Sequence, residues 1–280
     1  MIKSIFDNTG TFILVGLFSL LFLLEMVSQL RRRTQPKIKR IVLNFILSLP
    51  AFALLRLLLI PAMVWLAGKN ESWHAGLNYL YKAPAWVEGA LAFILLDYTN
   101  YLWHILNHKW SLLWRFHLVH HIDLDLDVTT ALRFHFGEII GSVFFRGAAV
   151  LLTGASPLVV LVYEIVFEAA TQFHHSNICL PLQLEQALSK LIVTPRMHGI
   201  HHSVFRNETD SNFSVIFSGW DRLHKTFRLH IPQHPITIGV PSYQNPQELT
   251  IGYLLKLPFT RIRKWGKKYE HRETKPKAED

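Results

Sequence analysis

Three histidine clusters constrain this chain more than any other feature. They are His104-Ile-Leu-Asn-His108, His117-Leu-Val-His120-His121 and His198-Gly-Ile-His201-His202, and the last two repeat one pattern, HxxHH. Residues at i, i+3 and i+4 project from one face of a helix, so each cluster can aim its imidazoles at one point. Neutral imidazole binds Fe, Zn, Cu and Ni, and eight or more imidazoles are too many for a single ion. The pattern predicts two metal ions held almost wholly by histidine. A lone histidine in an apolar helix is usually packed or hydrogen bonded. That reading fails for a repeated HxxHH beside an HxxxH, because desolvating so many imidazoles without a shared cation has no benefit. The HExxH pattern of zinc proteases is absent. So is the pair of ExxH motifs on two helices that soluble di-iron bundles use.

The clusters sit in an apolar chain. Half the residues are hydrophobic, only 18% are charged, and the mean hydropathy is +0.21, which points to a membrane protein rather than a large soluble core. The net charge of +9 then reads as cytoplasmic loops and contact with anionic lipid. No RNP, zinc-finger or helix-turn-helix pattern supports nucleic-acid binding. Cys179 is the single cysteine, which excludes an intramolecular disulfide and a Cys-based metal site. The start, Met1 to Asp7, lacks a strongly basic region, and no clean small-residue cleavage site follows. Thr11–Leu30 therefore reads as a retained membrane helix.

Further apolar stretches follow at Ile41–Ala67, Ala85–Trp103, Gly137–Gly154 and Ser156–Gln172. Roughly 20 residues at 1.5 Å each suffice to cross the hydrocarbon. Pro50 and Pro61 are expected to kink the second stretch, and Arg56 is a costly interior charge that could pair with Glu25. The last two stretches read as a hairpin, with Gly154 as helix stop, Ser156 as N-cap and Pro157 in the first turn. Tyr98, Tyr101 and Trp103 are expected at the membrane interface. The expected architecture is all-α: an integral membrane protein with four to five membrane helices and a cytoplasmic helical cap carrying the di-metal site. Residues 1–84 supply N-terminal membrane helices and loops. Residues 231–280 read as a basic cytoplasmic tail, basic and then disordered-looking from Arg261. Six positive charges and no acid between Arg31 and Arg40 assign that loop to the cytoplasm. The alternation of spans then carries every histidine cluster to the same side.

The residues around the clusters carry a family resemblance. Asp97-xxx-Tyr101-xx-His104 precedes the first box, and Asp127-Val-Thr-Thr-Ala-Leu-Arg133-Phe-His135 follows the second. Phe173-His174-His175-Ser176-Asn177 matches an FxHxN element, and Thr194-Pro195-Arg196-Met197 leads into the third box. Asp210-Ser211-Asn212-Phe213 and Trp220-Asp221-Arg222-Leu223 close the region. Together these resemble the fatty acid hydroxylase and sterol desaturase superfamily of membrane di-iron oxygenases, over roughly Asp97 to Phe227. Ile122 and Phe136 stand where many relatives carry Ser and Pro; they bear on the subfamily, not on the metal centre.

The resemblance implies that 85–230 is a hydroxylase- or desaturase-like catalytic domain. It implies two Fe ions, with Zn replacing them on overexpression, which activate O2 with two external electrons. The reaction would hydroxylate or desaturate a membrane lipid: sterol-like, fatty acyl or another apolar chain. No fused cytochrome b5, flavin or dinucleotide fingerprint is evident, so a separate cytochrome b5- or ferredoxin-type protein would supply the electrons. The implied catalytic and metal residues are His104, His108, His117, His120, His121, His175, His198, His201 and His202. His174 is a further candidate metal ligand, although it and His175 cannot face one point from a regular helix. His135 stays open between ligand and packed residue. His74, His224, His230, His234 and His271 read as non-ligands. Asp97, Asp127, Asn177 and Asp221 are candidates to accept the ligands' other N–H. Two other readings are weighed: a non-catalytic metal-binding scaffold or lipid receptor of the same fold, and a metallohydrolase needing no electrons. The expected location is a bacterial inner membrane, or the endoplasmic reticulum in a eukaryote.

A cysteine label after Arg33 is expected to be protected from impermeant reagents added outside, while one near Lys69 reacts. The reverse pattern would put the histidine clusters on the other face.

Overall fold

The computed structural model describes residues 2–81 and 83–272. Helices dominate, and the only β pairings among the described residues are isolated bridges such as Gln29–Ile178. The long elements are α1 (Ile2–Val27), α2 (Lys37–Leu54), α3 (Ile60–Trp73), α4 (Ala85–Lys109), α6 (Phe136–Thr153) and α7 (Pro157–His175). A shorter α5 (Ser111–His121) follows α4 after the extended residue Trp110. Between α2 and α3 the chain does not break at Pro61. A π-helical turn over Leu55–Leu59, closed by the Ile60 N–H on the Leu55 carbonyl, keeps it helical. The extra residue relieves the missing N–H and the ring clash that proline brings to a regular helix.

The helices run alternately between two ends of the molecule. At one end, the α1–α2 loop meets the end of α7: the Leu30 N–H donates to the Asn177 carbonyl at 2.8 Å. At the other end, the α3–α4 loop meets the α6–α7 turn at Gly76 and Gly154. Both have positive φ, +101° and +73°, and a Cβ on Gly76 would lie 2.4 Å from the Gly154 Cα. Only glycine allows this approach. Ser156 Oγ accepts from the Val159 N–H at 3.4 Å, and Pro157 opens α7, as the sequence predicts. The α6–α7 hairpin therefore reaches the same far end as the α3–α4 loop.

Among the described residues, Thr9–Val27, Lys37–Tyr79 and Phe136–Thr153 are long and apolar enough to cross a membrane. Phe12, Leu23, Phe45, Leu57 and Phe144 on these helices are each more than half exposed. Such a belt marks lipid contact rather than a water-facing surface. The expected helices at Ala85 and Ser156 form as α4 and α7 but fall outside that apolar set. They carry Glu88, Asp97, Glu164 and Glu168 and pack inward, α4 on α6 and α7 on α1 and α3. Leu59, Met63, Ala92, Leu96, Val150 and Val160 form the core between them. Because α4 is an inner helix, two of its aromatics leave the expected interface belt. Tyr101 is buried with its hydroxyl 3.1 Å from Thr226 Oγ1, and Trp103 lines an internal cavity. Glu25 and Arg56 do not pair. Glu25 sits at the histidine end of α1, accepts from the backbone of Val128 and Asn177, and faces Arg33 at 3.6 Å. Arg56 donates to Thr11.

The expected C-terminal tail is packed as far as it is described. Val240, Tyr243, Leu254 and Leu257 are buried against Leu118, Val119 and Ile122 of the second histidine cluster's surroundings. Trp265 Nε1 donates to the Val204 carbonyl at 2.9 Å, and Arg272 pairs with Glu208 at 2.7 Å. Residues 273–280 of that tail, and Met1 and Lys82, lie outside the described residues.

One buried ionic knot ties α2 to the loop after α5. Arg40 grips Asp123 through two contacts of 2.7 and 2.9 Å and also reaches Asp127, while Asn44 donates to Asp123 at 3.3 Å. Burial raises the Asp123 carboxyl, but Arg40 and Arg133 outweigh it and hold it below its usual range. Removing Arg40 leaves the buried Asp127 without its cation and Asp123 with only Arg133, 3.9 Å away. Arg40→Ala is expected to cost about 3–5 kcal/mol, read as a lower unfolding temperature of the detergent-purified protein. Arg40→Lys should recover only part, because it cannot grip both oxygens. An unchanged melting temperature in the alanine variant would rule the knot out as a stabilising element.

Candidate metal centre

Each histidine cluster rides on its own short stretch of helix. His104 and His108 occupy the last turns of α4, and His117, His120 and His121 the last turns of α5. His174 and His175 end α7. The third cluster lies on α9 (Pro195–His201), with α8 (Leu182–Leu188) before it. Thr194 caps α9 by accepting from the Met197 N–H at 3.4 Å, and Pro195 takes the first helical position. The Thr-Pro-Arg-Met lead-in is thus a helix start that sets the register of His198, His201 and His202.

Nine histidines assemble into two adjacent groups. His104, His108, His117, His121 and His201 form one; His120, His175, His198 and His202 form the other. Within each group the nearest ring nitrogens lie within 4.8 Å of one another. The two HxxHH motifs divide in opposite ways. In the second cluster the i, i+4 pair His117 and His121 joins the first group and His120 crosses to the second. In the third cluster the i, i+4 pair His198 and His202 joins the second group and His201 crosses to the first. His121 and His202 stack across the boundary at 4.4 Å between ring centres.

The hydrogen bonds fix which nitrogens carry lone pairs. Nδ1 of His104 meets the Phe213 carbonyl at 2.7 Å, and Nδ1 of His201 meets the Ser211 carbonyl at 2.7 Å. Nδ1 of His175 meets the Thr171 carbonyl at 2.7 Å, and Nδ1 of His120 the Arg133 carbonyl at 3.2 Å. A carbonyl only accepts, so each Nδ1 must be the N–H and each Nε2 a bare lone pair. His117 is held likewise by Glu138 at 3.0 Å. The Nε2 atoms of His120 and His175 nevertheless sit 3.1 Å apart, and those of His175 and His198 2.9 Å apart. His120 and His175 thus present two lone pairs to each other, with no proton between them. Nε2 of His201 and of His108 is buried without a hydrogen-bond partner.

A cation in each group would resolve these contacts. A tetrahedral ion with bonds of 2.0–2.1 Å to nitrogen separates its ligand atoms by roughly 3.3 Å, close to the spacing found. Burial, reinforced by the neighbouring histidines, pushes His120, His121, His198, His201 and His202 well below the usual imidazole range. They are therefore neutral at pH 7, the form that binds metal. The donor set fits two ions that accept imidazole, Fe or Zn.

The other expected site residues are placed differently. His174 belongs to neither group. Its Nδ1 meets the Val215 carbonyl at 3.2 Å and its ring lies 4.1 Å from His198, because successive helical residues point about 100° apart. His135 caps α6: its Nδ1 accepts from the Gly137 N–H at 3.0 Å, and its Nε2 meets the Leu255 carbonyl. His224 packs against Tyr98 and Tyr101. The acids and amide expected to hold the ligands do other work. Asp97 accepts from Phe217 and Trp220, and Asn177 is tied to Arg31. Asp127 caps the turn after the second cluster. Asp221 acts indirectly, holding the N–H of Phe213, whose carbonyl orients His104. The carboxylates that face rings of the two groups are Glu138, 3.0 Å from His117 Nδ1, and Asp210, 3.8 Å from His108 Nδ1; sequence reasoning missed Glu138. Its signal was an acid in the first turn of an apolar helix just after the second cluster.

The two groups open on a cavity of about 160 Å³ between α2, α4, α6 and α7. His104, His117, His120, His175 and His198 line one end, and Phe52, Leu55, Leu132, Phe134, Ile139 and Phe167 line much of the rest.

A profile of the fatty acid hydroxylase family matches residues 89–226. The chain is 31% identical to the ornithine lipid hydroxylase of Rhizobium tropici over 185 residues, covering 64% of this chain and 52% of that protein. It is 30% identical to the alkylglycerol monooxygenase of Danio rerio over 218 residues, 74% of this chain and 45% of that one. With human cholesterol 25-hydroxylase it shares 28% identity over 138 residues, 48% and 49% of the two chains. This chain spans about half the length of these relatives. No solved structure matches it.

Purified protein is expected to carry about two metal ions per chain, as two groups of imidazoles require. His121→Ala and His202→Ala should each lower that content, measured by elemental analysis, while His174→Ala and His230→Ala should not. His135→Ala should keep both ions and lose about 1 kcal/mol of stability, the usual cost of a lost helix cap. Full metal content in His121→Ala and His202→Ala together would dissolve the two-group assignment.

Proposed function

We propose that this chain, which belongs to the fatty acid hydroxylase and sterol desaturase superfamily, is a di-iron enzyme that hydroxylates a membrane lipid. The observation that carries the reading is the pair of histidine groups, lone pairs converging, at the end of an apolar cavity among lipid-facing helices. Two bound irons would supply the redox chemistry that activates O2 against an unactivated C–H bond, with electrons from a separate donor protein. Hydroxylation is preferred to desaturation because the relatives are named as hydroxylases and monooxygenases.

The chain's own residues do the positioning. His104, His108, His117, His121 and His201 would hold one ion, and His120, His175, His198 and His202 the other. The carbonyls of Thr171, Arg133, Ser211 and Phe213 keep the imidazoles in one tautomer and one orientation. Glu138 holds the proton on His117 Nδ1 and strengthens that ring as a donor. Phe134, Ile139 and Phe167 exclude water and guide an apolar chain, so the substrate need not leave lipid. His174 lines the cavity beside His198 and acts as a positioning residue. The positive loop at the histidine end supports a site on the cytoplasmic side.

The test compares lipid extracts of a strain lacking the protein with strains carrying the native chain or His201→Ala. The native chain alone should produce a lipid heavier by one oxygen, and only in air. Glu138→Gln should lower the rate about 10- to 100-fold, as loss of a ligand's hydrogen-bond partner does. A loss of two hydrogens would make the enzyme a desaturase. Identical lipids in all three strains, or product formed without O2, would overturn the reading.

A further inference from the structure

The cavity is not apolar throughout. Beyond the metal end it is lined by Asn100, Arg146 and Glu168. Each lies on the same helical face as a residue of the metal end. Glu168 is seven residues before His175 on α7, and Arg146 eight residues after Glu138 on α6. These spacings are close to two turns, so the side chains project from one face, about 10–12 Å apart along the helix. Arg146 pairs with Glu164, yet its Nε is buried without a partner. Glu168 faces the cavity and forms no hydrogen bond or ion pair among the described residues; the charges around it are Glu164, Arg146 and Arg56. An acid without a hydrogen-bond partner among apolar helices carries a cost that Arg146 and Arg56 offset only through space and that a hydrogen-bonding ligand would offset directly.

We propose that Glu168 and Arg146 form a hydroxyl-binding subsite that selects a lipid carrying a hydroxyl about 10 Å from the carbon presented to the histidines. The charges choose the group. A hydroxyl can donate to Glu168 and accept from Arg146 at once. An ammonium cannot accept and would face Arg146 and Arg56. A carboxylate would face Glu164 and Glu168. An extended chain advances about 1.2 Å per bond, so the hydroxyl lies roughly eight to ten bonds from the reacting carbon. The inference rests on the lipid hydroxylase reading for its reaction, but its binding half can be measured alone.

Trp103 lines the same cavity and reports on occupancy. The full-length, metal-loaded protein in detergent is titrated with a brominated long-chain alcohol, and with the methyl ether of that alcohol, while tryptophan quenching is followed. Trp103→Phe identifies the part of the signal that comes from the cavity. The native chain should bind the alcohol at least about fivefold more tightly than the ether, as one hydrogen bond to a charged group requires. In Glu168→Leu the two should bind within about twofold, and Glu168→Gln should fall between. Metal content should stay the same in all three, and the position of oxygen insertion should spread along the chain only in Glu168→Leu. Equal binding of alcohol and ether by the native chain, which needs no variant to fold, would overturn the subsite. So would a preference that survives in Glu168→Leu. Discrimination by a protein that oxygenates no lipid would leave the subsite standing and sink the hydroxylase reading instead.

Discussion

Lone-pair repulsion among the imidazoles gathered in the two groups is the constraint on which the rest of this structure depends. The Nε2 atoms of His120 and His175, 3.1 Å apart with both Nδ1 protons committed to carbonyls, repel unless a cation lies between them. The scaffold has to hold them against that repulsion. It does so by spreading the opposing hydrogen bonds over separate elements: the carbonyl of Thr171 on α7, Arg133 after the turn that follows α5, and Ser211 and Phe213 in the loops after α9. Three parts of the chain must therefore be in place together before His104, His120, His175 and His201 are all aimed.

The cap is in turn fixed by charges that a topology argument would count as loop charges. Arg31 is buried, and its guanidinium donates to the carbonyls of Pro195 and Ser176 and to Gln233. A Cβ on Gly199 would lie 2.2 Å from Arg31 Nη1, so the glycine inside the third HxxHH is what lets the guanidinium close on α9. Arg40 is buried in the knot with Asp123 and Asp127. Two of the six positive charges between Arg31 and Arg40 are thus structural. Arg32 and Lys39 are exposed and remain available to face an anionic membrane surface.

The histidines were legible because helical spacing is a local property. HxxxH and HxxHH name nearly every ring that enters the two groups, and the FxHxN element adds His175. Their partition was not legible, because which of i, i+3 and i+4 joins which group depends on how α5 and α9 cross. The hydrogen-bond partners were mostly invisible for a simpler reason: a backbone carbonyl leaves no trace in side-chain sequence. Asp97, Asp127, Asn177 and Asp221 attracted attention as polar residues near the boxes, and they turn out to cap turns and tie loops. The packing of 240–257 was missed because its apolar residues lie in irregular chain and short turns. Val240, Tyr243, Leu249 and Leu254 have no period to detect, and the surrounding basic residues dominate the composition. The aromatics of α4 were misjudged because an inner helix and a lipid-facing one can share length and apolar content.

That last distinction was available from charge. The three helices apolar enough to cross a membrane carry their bulky side chains outward and their buried acids, Glu25 and Glu138, near their ends, whereas the two that fall short carry Asp97, Glu164 and Glu168 inward at mid-helix. An intramembrane acid is unfavourable in lipid and is kept where a cavity or a partner accepts it. α4 places Asp97 and Asn100 on its inner side, and α7 places Glu164 and Glu168 there. The shortfall in hydropathy on these two helices is therefore information about the site they enclose rather than a weakness in the span. The outer helices supply a lipid-facing wall, the inner ones supply polar groups at set depths, and one helical register connects those depths to the histidines. In a fold of this kind the distance from a buried polar group to the histidine end is written in the sequence as a count of turns.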